Sequence, residues 1–220
     1  MDVSLWSANL AQLGTEIERM ELYADLFHID VADAPFVPGL LFFPDLVATL
    51  RPFTRKPFHV HLMTERPLTL IEAFVEAGAD LITVHYENGN AVPTAIEAIQ
   101  ASNCAVGVAL DLDTPPAAVA PYLHQIDLVL LMGTRLGVKG QDLAPTACER
   151  IQAVRRLIHR YGRADAVKIG ADGGIRRHTV PQLRAAGVDS IVPGSLVCGA
   201  PDVAQTFTWL HELPEPGSLV

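Results

Sequence analysis

The chain has 220 residues, half of them hydrophobic and 19% charged, which is enough apolar material for one sizeable core and excludes a disordered chain. Against 25 Asp and Glu stand 16 Lys and Arg, a formal charge of −9, with no basic run. A nucleic-acid surface and an acidic membrane are therefore excluded as partners, since both need a concentrated basic face. The N-terminus has neither the basic start nor the apolar run of a signal peptide, and no stretch of about 18 apolar residues follows, so a cytoplasmic location is expected. Cys104, Cys148 and Cys198 are far apart and form no CxxC pair, so neither a disulfide framework nor a thiolate zinc site is expected, only scattered buried thiols.

In chain order, apolar runs of strand type fall at residues 3–6, 26–31, 58–62, 81–85, 105–110, 128–132, 166–169 and 190–192. Between and after them lie amphipathic stretches predicted as helices at 10–24, 45–51, 68–77, 93–101, 117–123, 145–161, 179–186 and 203–213. The segments 76–80 and 184–189 each place a Gly just past a helix and an apolar strand directly after it, two equivalent helix-to-strand turns. Eight strand–helix units predict a single (β/α)8 TIM barrel over residues 1–213, with a disordered tail at 214–220. At about 27 residues per unit the barrel is compact beside the usual ~250 residues. A doubly wound sheet would use five or six strands.

A barrel of this kind builds its site at the C-terminal ends of the strands. The second strand carries His28 and Asp30, and the third His59 and His61; alternation puts each pair on one face. Asp172 stands at the mouth of the seventh, before Gly173 and Gly174. A lone inward His is commonly a core residue and an Asp before Gly-Gly a turn former. Three strands ending in ligand-type residues point instead to a mixed nitrogen and oxygen site for one divalent transition metal, Zn, Fe(II), Mn or Co. The eighth strand runs into Gly194-Ser195 and a short helix whose free N–H groups suit an anion; with Gly173 and Gly174 this makes a phosphate cradle, or else a loop that needs glycine only for space. Residues 133–141, with Gly137 and Gly140, read as a lid or as a plain surface loop, and Arg135 and Lys139 put two positive charges on it.

Taken together, Ser7-Ala-Asn9, His28-Ile-Asp30 with Phe36-Val-Pro38, Val60-His-Leu-Met63, Val84-His-Tyr-Glu87, the lid, Asp172-Gly-Gly174 and Gly194-Ser195 resemble the ribulose-phosphate 3-epimerase family, in the family's order and over nearly the whole chain. The resemblance implies a metal held by His28, Asp30, His61 and Asp172, and Asp30 and Asp172 as the two acid/base groups. It also implies substrate contacts from Ser7, His61, Met63, Gly137, Gly140, Gly173, Gly174, Gly194 and Ser195, and a homo-oligomer. The implied activity inverts C3 of a phosphorylated ketose, D-ribulose 5-phosphate to D-xylulose 5-phosphate by default, through an enediolate whose charge the metal offsets.

The chain also departs from the family's pattern. Ala32-Asp33-Ala34 replaces Met-Asp-Gly, His59 replaces the Asp of Asp-Val-His-Leu-Met, Asp111-Leu-Asp replaces Asn-Pro-Gly, and the lid reads Arg135-Leu-Gly-Val-Lys-Gly140 for Asn-Pro-Gly-Phe-Gly-Gly. Met63 and Met132 remain to cap the reaction centre. His59 is expected as a partner of a ligand or a substrate contact before an extra ligand. The altered shell leaves open another substrate, a hexulose or tetrulose phosphate, and a non-catalytic sugar-phosphate-binding barrel is the remaining class. A barrel decarboxylase would show D-x-K-x-x-D, and no Lys follows Asp30.

Overall fold

A computed structural model describes residues 1–213; the tail expected at 214–220 lies outside the described residues. Eight parallel strands run in sequence order around one sheet. They are β1 (Asp2–Ser4), β2 (Leu26–Ala32), β3 (Phe58–Met63), β4 (Leu81–His85), β5 (Ala105–Leu110), β6 (Leu128–Met132), β7 (Lys168–Asp172) and β8 (Ser190–Val192). The Ser4 amide donates to the Pro193 carbonyl at 3.1 Å and brings the first and last strands together, giving the (β/α)8 barrel. The helices are α1 (Leu13–Met20), α2 (Pro44–Leu50), α3 (Ile71–Glu76), α4 (Ala91–Ala101), α5 (Ala147–Arg160), α6 (Val180–Ala186), α7 (Ser195–Cys198) and α8 (Val203–Glu212).

Alternation along the strands divides the core. Phe27, Ile29 and Val31 of β2 and Val60 and Leu62 of β3 point out into the main apolar layer beneath the helices. Inside the barrel, Ala109, Leu128, Leu130 and Val192 form a smaller apolar plug with Leu81 against it. His28, Asp30, His59 and His61 occupy inward positions and are almost fully buried. The β2–β3 register places His28 beside His59, Asp30 beside His61 and Ala32 beside Met63.

The far end of the barrel is tied by a repeated carboxylate. An Asp directly precedes β4, β6 and β8, and each accepts a hydrogen bond from an amide at the start of the preceding strand. Asp80 takes Phe58 N–H at 2.8 Å, Asp127 takes Val106 N–H at 2.8 Å, and Asp189 takes Ile169 N–H at 2.7 Å. Both expected helix-to-strand turns are present, with Gly78 and Gly187 in the left-handed region at φ 97° and 95°.

Some boundaries differ from the sequence reading. The first strand ends at Ser4 and passes into a 3-10 turn at Leu5–Ser7, and the helix expected from residue 10 opens with a second 3-10 turn, Leu10–Gln12. Residues 117–123, expected as α-helix, lie largely in a 3-10 segment, Pro116–Tyr122. Pro121 within it has no N–H to donate and its ring crowds the preceding turn. The seventh strand starts and ends later than expected, so Asp172 is its last residue instead of the turn beyond it.

Gly107 shows how closely the barrel interior is packed: a Cβ there would lie 1.9 Å from Thr83 Oγ1, across the β4–β5 pair. Gly107→Ala is expected to lower stability by about 1–3 kcal/mol, the usual cost of overpacking. Urea denaturation of the two proteins measures it.

Candidate active site

Four side chains from three strands converge at the mouth of the barrel. His28 Nε2 lies 3.3 Å from Asp30 Oδ1, 3.7 Å from Asp172 Oδ2 and 3.3 Å from His61 Nδ1. His61 Nδ1 lies 3.6 Å from Asp30 and 3.5 Å from Asp172. One donor atom from each of the four residues falls within 4.8 Å of the others. Two imidazole nitrogens and two carboxylate oxygens at such spacings fit a divalent transition metal in number, charge and hardness.

The groups are charged against one another. Burial alone would raise the Asp30 carboxyl, but the His28 charge and hydrogen bonds from His28 and His61 outweigh it and hold Asp30 well below the usual carboxylate range. Burial opposes charge on His28, yet Asp2 and Asp30 push it well above an ordinary imidazole. His61 is likewise raised against its burial, because Asp172 and Asp30 can accept hydrogen bonds from its charged form. Ser4 Oγ donates to the other Asp30 oxygen at 2.9 Å.

Behind His61 runs a hydrogen-bonded chain. His61 Nε2 is 2.8 Å from His85 Nε2, and His85 Nδ1 is 3.0 Å from Glu87 Oε2. A proton on His61 Nε2 and another on His85 Nδ1 satisfy both contacts, and in the neutral form of His61 they leave the Nδ1 lone pair facing the cluster. Glu87 Oε1 accepts from Asp111 N–H at 3.1 Å and from the Thr114 hydroxyl. Partial burial raises Glu87, but hydrogen bonds from His85 and Thr114 bring it down to about 2. The loop after β5 that carries these donors is clamped by the Arg150 guanidinium of α5, which donates to the carbonyls of Asp111, Leu112 and Thr114, each at 2.7 Å. Behind His28 lie Asp2, with Oδ2 2.9 Å from His28 Nδ1, and His59.

Above the cluster opens a cavity of about 340 Å³. Of the residues singled out by sequence, Ser7, Asp30, Met63, Met132, Arg135, Gly137, Lys139, Gly140, Asp172, Gly173, Gly174, Gly194 and Ser195 line it. His28, His59 and His61 do not: all three are fully buried behind the carboxylates, so neither His59 nor His61 reaches the cavity wall. Gly173 and Gly174 take φ values of 91° and 69°, and a Cβ on Gly194 would lie 2.4 Å from Ser7 Oγ, so side chains are barred there by conformation or by space. Next to Gly194, the α7 amides from Val197 on bond back to the Gly194 carbonyl, and those of Ser195 and Leu196 come before the first such bond.

The lid folds over one side of the cavity. Its Gly137 sits where a Cβ would meet Val37 and Pro38 at 3.0 Å. Lys139 Nζ donates to the Trp6 carbonyl at 2.7 Å and stands 4.7 Å over the Trp6 ring. Burial lowers the Lys139 ammonium, while the Asp30 charge acts in the opposite sense. The sequence reading passed over Ser4, Trp6, Thr134 and Arg176, which also line the cavity. Arg176 follows the Gly-Gly pair by two residues and donates to Ser195 Oγ at 3.3 Å and to the Gln141 carbonyl at 3.4 Å. Its place beside the expected cradle was the available signal. The three cysteines are free and half-buried instead of fully buried.

The sequence matches the ribulose-phosphate 3 epimerase family over residues 1–198. It is 38% identical over 200 residues to the ribulose-phosphate 3-epimerase of Bacillus subtilis (strain 168), covering 90% of this chain and 92% of that one. It is 39% identical over 193 residues to the ribulose-phosphate 3-epimerase of Treponema pallidum (87% and 88%), and 32% identical over 219 residues to the chloroplastic ribulose-5-phosphate-3-epimerase of Arabidopsis thaliana (98% and 77%). Among solved structures, a 3-keto-L-gulonate-6-phosphate decarboxylase from Vibrio cholerae superposes with a TM-score of 0.72 at 16% identity, covering 97% of this chain and 95% of that one. A 3-hexulose-6-phosphate synthase from Salmonella typhimurium gives 0.68 at 18% identity and 96% of each chain; likeness at these identities concerns the fold alone. Fold and relatives thus define a barrel isomerase that epimerises carbohydrates. The chain belongs to the ribulose-phosphate 3-epimerase family. Among the described residues no helix is long and apolar enough to cross a membrane.

The cluster's donor set makes a direct expectation. Equilibrium dialysis against Zn or Co should find one divalent ion per chain, and His28→Ala and His61→Ala should each weaken it by more than the roughly 10–100-fold that loss of an outer partner costs.

Proposed function

We propose that the protein interconverts the C3 epimers of a phosphorylated ketose, with D-ribulose 5-phosphate and D-xylulose 5-phosphate as the leading pair. The observation that carries this reading is the placement of Asp30 and Asp172. The two carboxylates come from strands β2 and β7, both line the cavity, and both approach the same pair of imidazoles. Inverting a carbon next to a ketone requires removing its proton and returning one to the other face. Two carboxylates that reach one bound sugar from different strands supply a base and an acid that exchange roles with the epimer. Ser4 and the two histidines hold Asp30 ionised, ready to accept a proton. His28, Asp30, His61 and Asp172 would hold the divalent ion, which when bound supplies positive charge for the ketone oxygen as the C3 proton leaves. Met63 and Met132 present apolar surface at the reaction centre and keep water from it.

At the other end of the cavity, first-turn amides of α7, the backbone at Gly173 and Gly174, Ser7 and Ser195 receive the phosphate. Arg176 adds a guanidinium beside Ser195, and among the described residues it has no carboxylate within ion-pair distance. Lys139 on the lid adds a second cation, beside Trp6.

Asp30→Asn and Asp172→Asn should each lower kcat by roughly 10²–10⁴-fold, the usual contribution of a positioned acid or base, while both variants still fold. The two should also differ in which epimer exchanges its C3 proton with solvent. Near-normal turnover in both would contradict the mechanism.

Arg176→Ala should raise KM for the phosphorylated ketose by about tenfold, the loss of a charge-assisted contact of ~1.4 kcal/mol, with kcat little changed. Steady-state kinetics with phosphate as competitive inhibitor checks it, since the inhibition constant should rise in parallel.

A further inference from the structure

Asp2 and His59 are buried at the back of the cluster, and neither touches the cavity. We propose that they form a positioning pair that fixes which nitrogen of His28 carries its proton, and so aims the His28 Nε2 lone pair at the metal cluster. The inference rests on the reading that His28, Asp30, His61 and Asp172 hold a divalent ion.

The argument is an accounting of protons. Asp2 Oδ2 can only accept, so the His59 Nδ1 beside it carries the proton, and a neutral His59 then accepts the Thr83 hydroxyl at Nε2, 2.7 Å away. That Nδ1 meets Asp2 Oδ2 in a hydrogen bond. His28 Nδ1 lies 2.9 Å from the same oxygen, so two imidazole N–H groups converge on one carboxylate oxygen. An imidazole that gives one lone pair to a cation keeps a single proton on its other nitrogen. For His28 that nitrogen is Nδ1, with Asp2 as acceptor. The ring is thereby held in the tautomer and orientation that ligation needs. Thr83 keeps its place because Gly107 leaves room for it.

Asp2 supplies a carboxylate to His28 from strand β1 on one side, and position 59 of β3 could supply one from the other. The side-chain geometry makes the exchange possible. An imidazole Nδ1 and a carboxylate Oδ are both bonded to Cγ, and His59 Nδ1 sits 3.2 Å from His28 Nδ1. An Asp at 59 in the same rotamer would place its oxygen within hydrogen-bond reach of His28. Asp2, His28 and His59 also form a three-donor group within 4.8 Å, but no fourth donor completes it among the described residues, and the Asp2 oxygen is already taken by an N–H from each imidazole.

The test is Co(II) affinity by competition with a chromophoric chelator, with the visible spectrum of the bound ion, on folded protein checked by circular dichroism. Asp2→Asn keeps the shape but can offer N–H to His28 Nδ1, which favours the wrong tautomer. It should bind Co(II) roughly 10–100-fold more weakly, with an altered spectrum. Asp2→Ala should lose as much, and Asp2→Ala with His59→Asp should regain most of the affinity; if Asp2→Ala fails to fold, Asp2→Asn and the double variant decide. Wild-type affinity and spectrum in Asp2→Asn, or a double variant no tighter than Asp2→Asn, would overturn the proposal. So would two ions per wild-type chain with one lost in Asp2→Asn, which would make the pair a second metal site. A wild-type protein that binds no divalent ion would instead sink the metal reading beneath it.

Discussion

A histidine that points a lone pair into a site must send its proton somewhere else, and in a dry barrel that destination has to be built. This constraint organises the upper half of the structure. His28 and His61 turn one nitrogen each toward Asp30 and Asp172, and each has a buried partner at the other nitrogen. From His61 the chain runs through His85 to Glu87, and Glu87 is held by the loop after β5, which Arg150 clamps from α5. From His28 it ends on Asp2, at the start of the barrel. Both runs finish on carboxylates, which keeps buried polar atoms paired at low dielectric. The lower barrel, closed by the apolar plug and the Asp ties before β4, β6 and β8, holds the strands that aim these groups.

An acidic protein can take an anionic substrate because the charge that counts is local. Several of the 25 acidic side chains sit inside the barrel as cluster members or their partners, where imidazoles balance them. The cavity wall carries Arg135, Lys139 and Arg176 together with helix and loop amides. On the lid, Lys139 reaches back to the carbonyl and ring of Trp6, and both residues line the cavity. Ala32 sits in a small apolar cap with Val37 and Met63, against which Phe36, Leu41 and Leu136 pack.

Much of this was legible before any coordinates. Strand periodicity alone placed His28 with Asp30 and His59 with His61 on inward faces, and the strand ends located Asp172 and the glycines. What periodicity could not do was separate His59 from His61. Both face inward from one strand, and only the register against β2 shows that His61 sits level with Asp30 and His59 one layer below, beside His28. Asp2 was invisible because a carboxylate at the second residue of a chain reads as solvated, and its burial depends on two histidines more than 25 residues away in sequence. Arg176 was missed because a basic residue after a Gly turn carries no periodic signal. The boundary errors at residues 5–12 and 117–123 have one cause, since 3-10 turns satisfy local hydrogen bonds without a helical pattern of period 3.6. The structural likeness to decarboxylases and synthases shows the converse limit: one barrel serves several chemistries, so the site residues and not the fold carry the function.

The central claim is reversible proton transfer at C3 of a phosphorylated ketose. Its most direct test is incubation of metal-loaded protein in deuterated water with a panel of four- to six-carbon ketose phosphates, followed by proton NMR. The account predicts deuterium at C3 together with appearance of the 3-epimer, fastest for one sugar phosphate of the panel. Absence of C3 exchange in every member, with the metal bound and the fold intact, would contradict it.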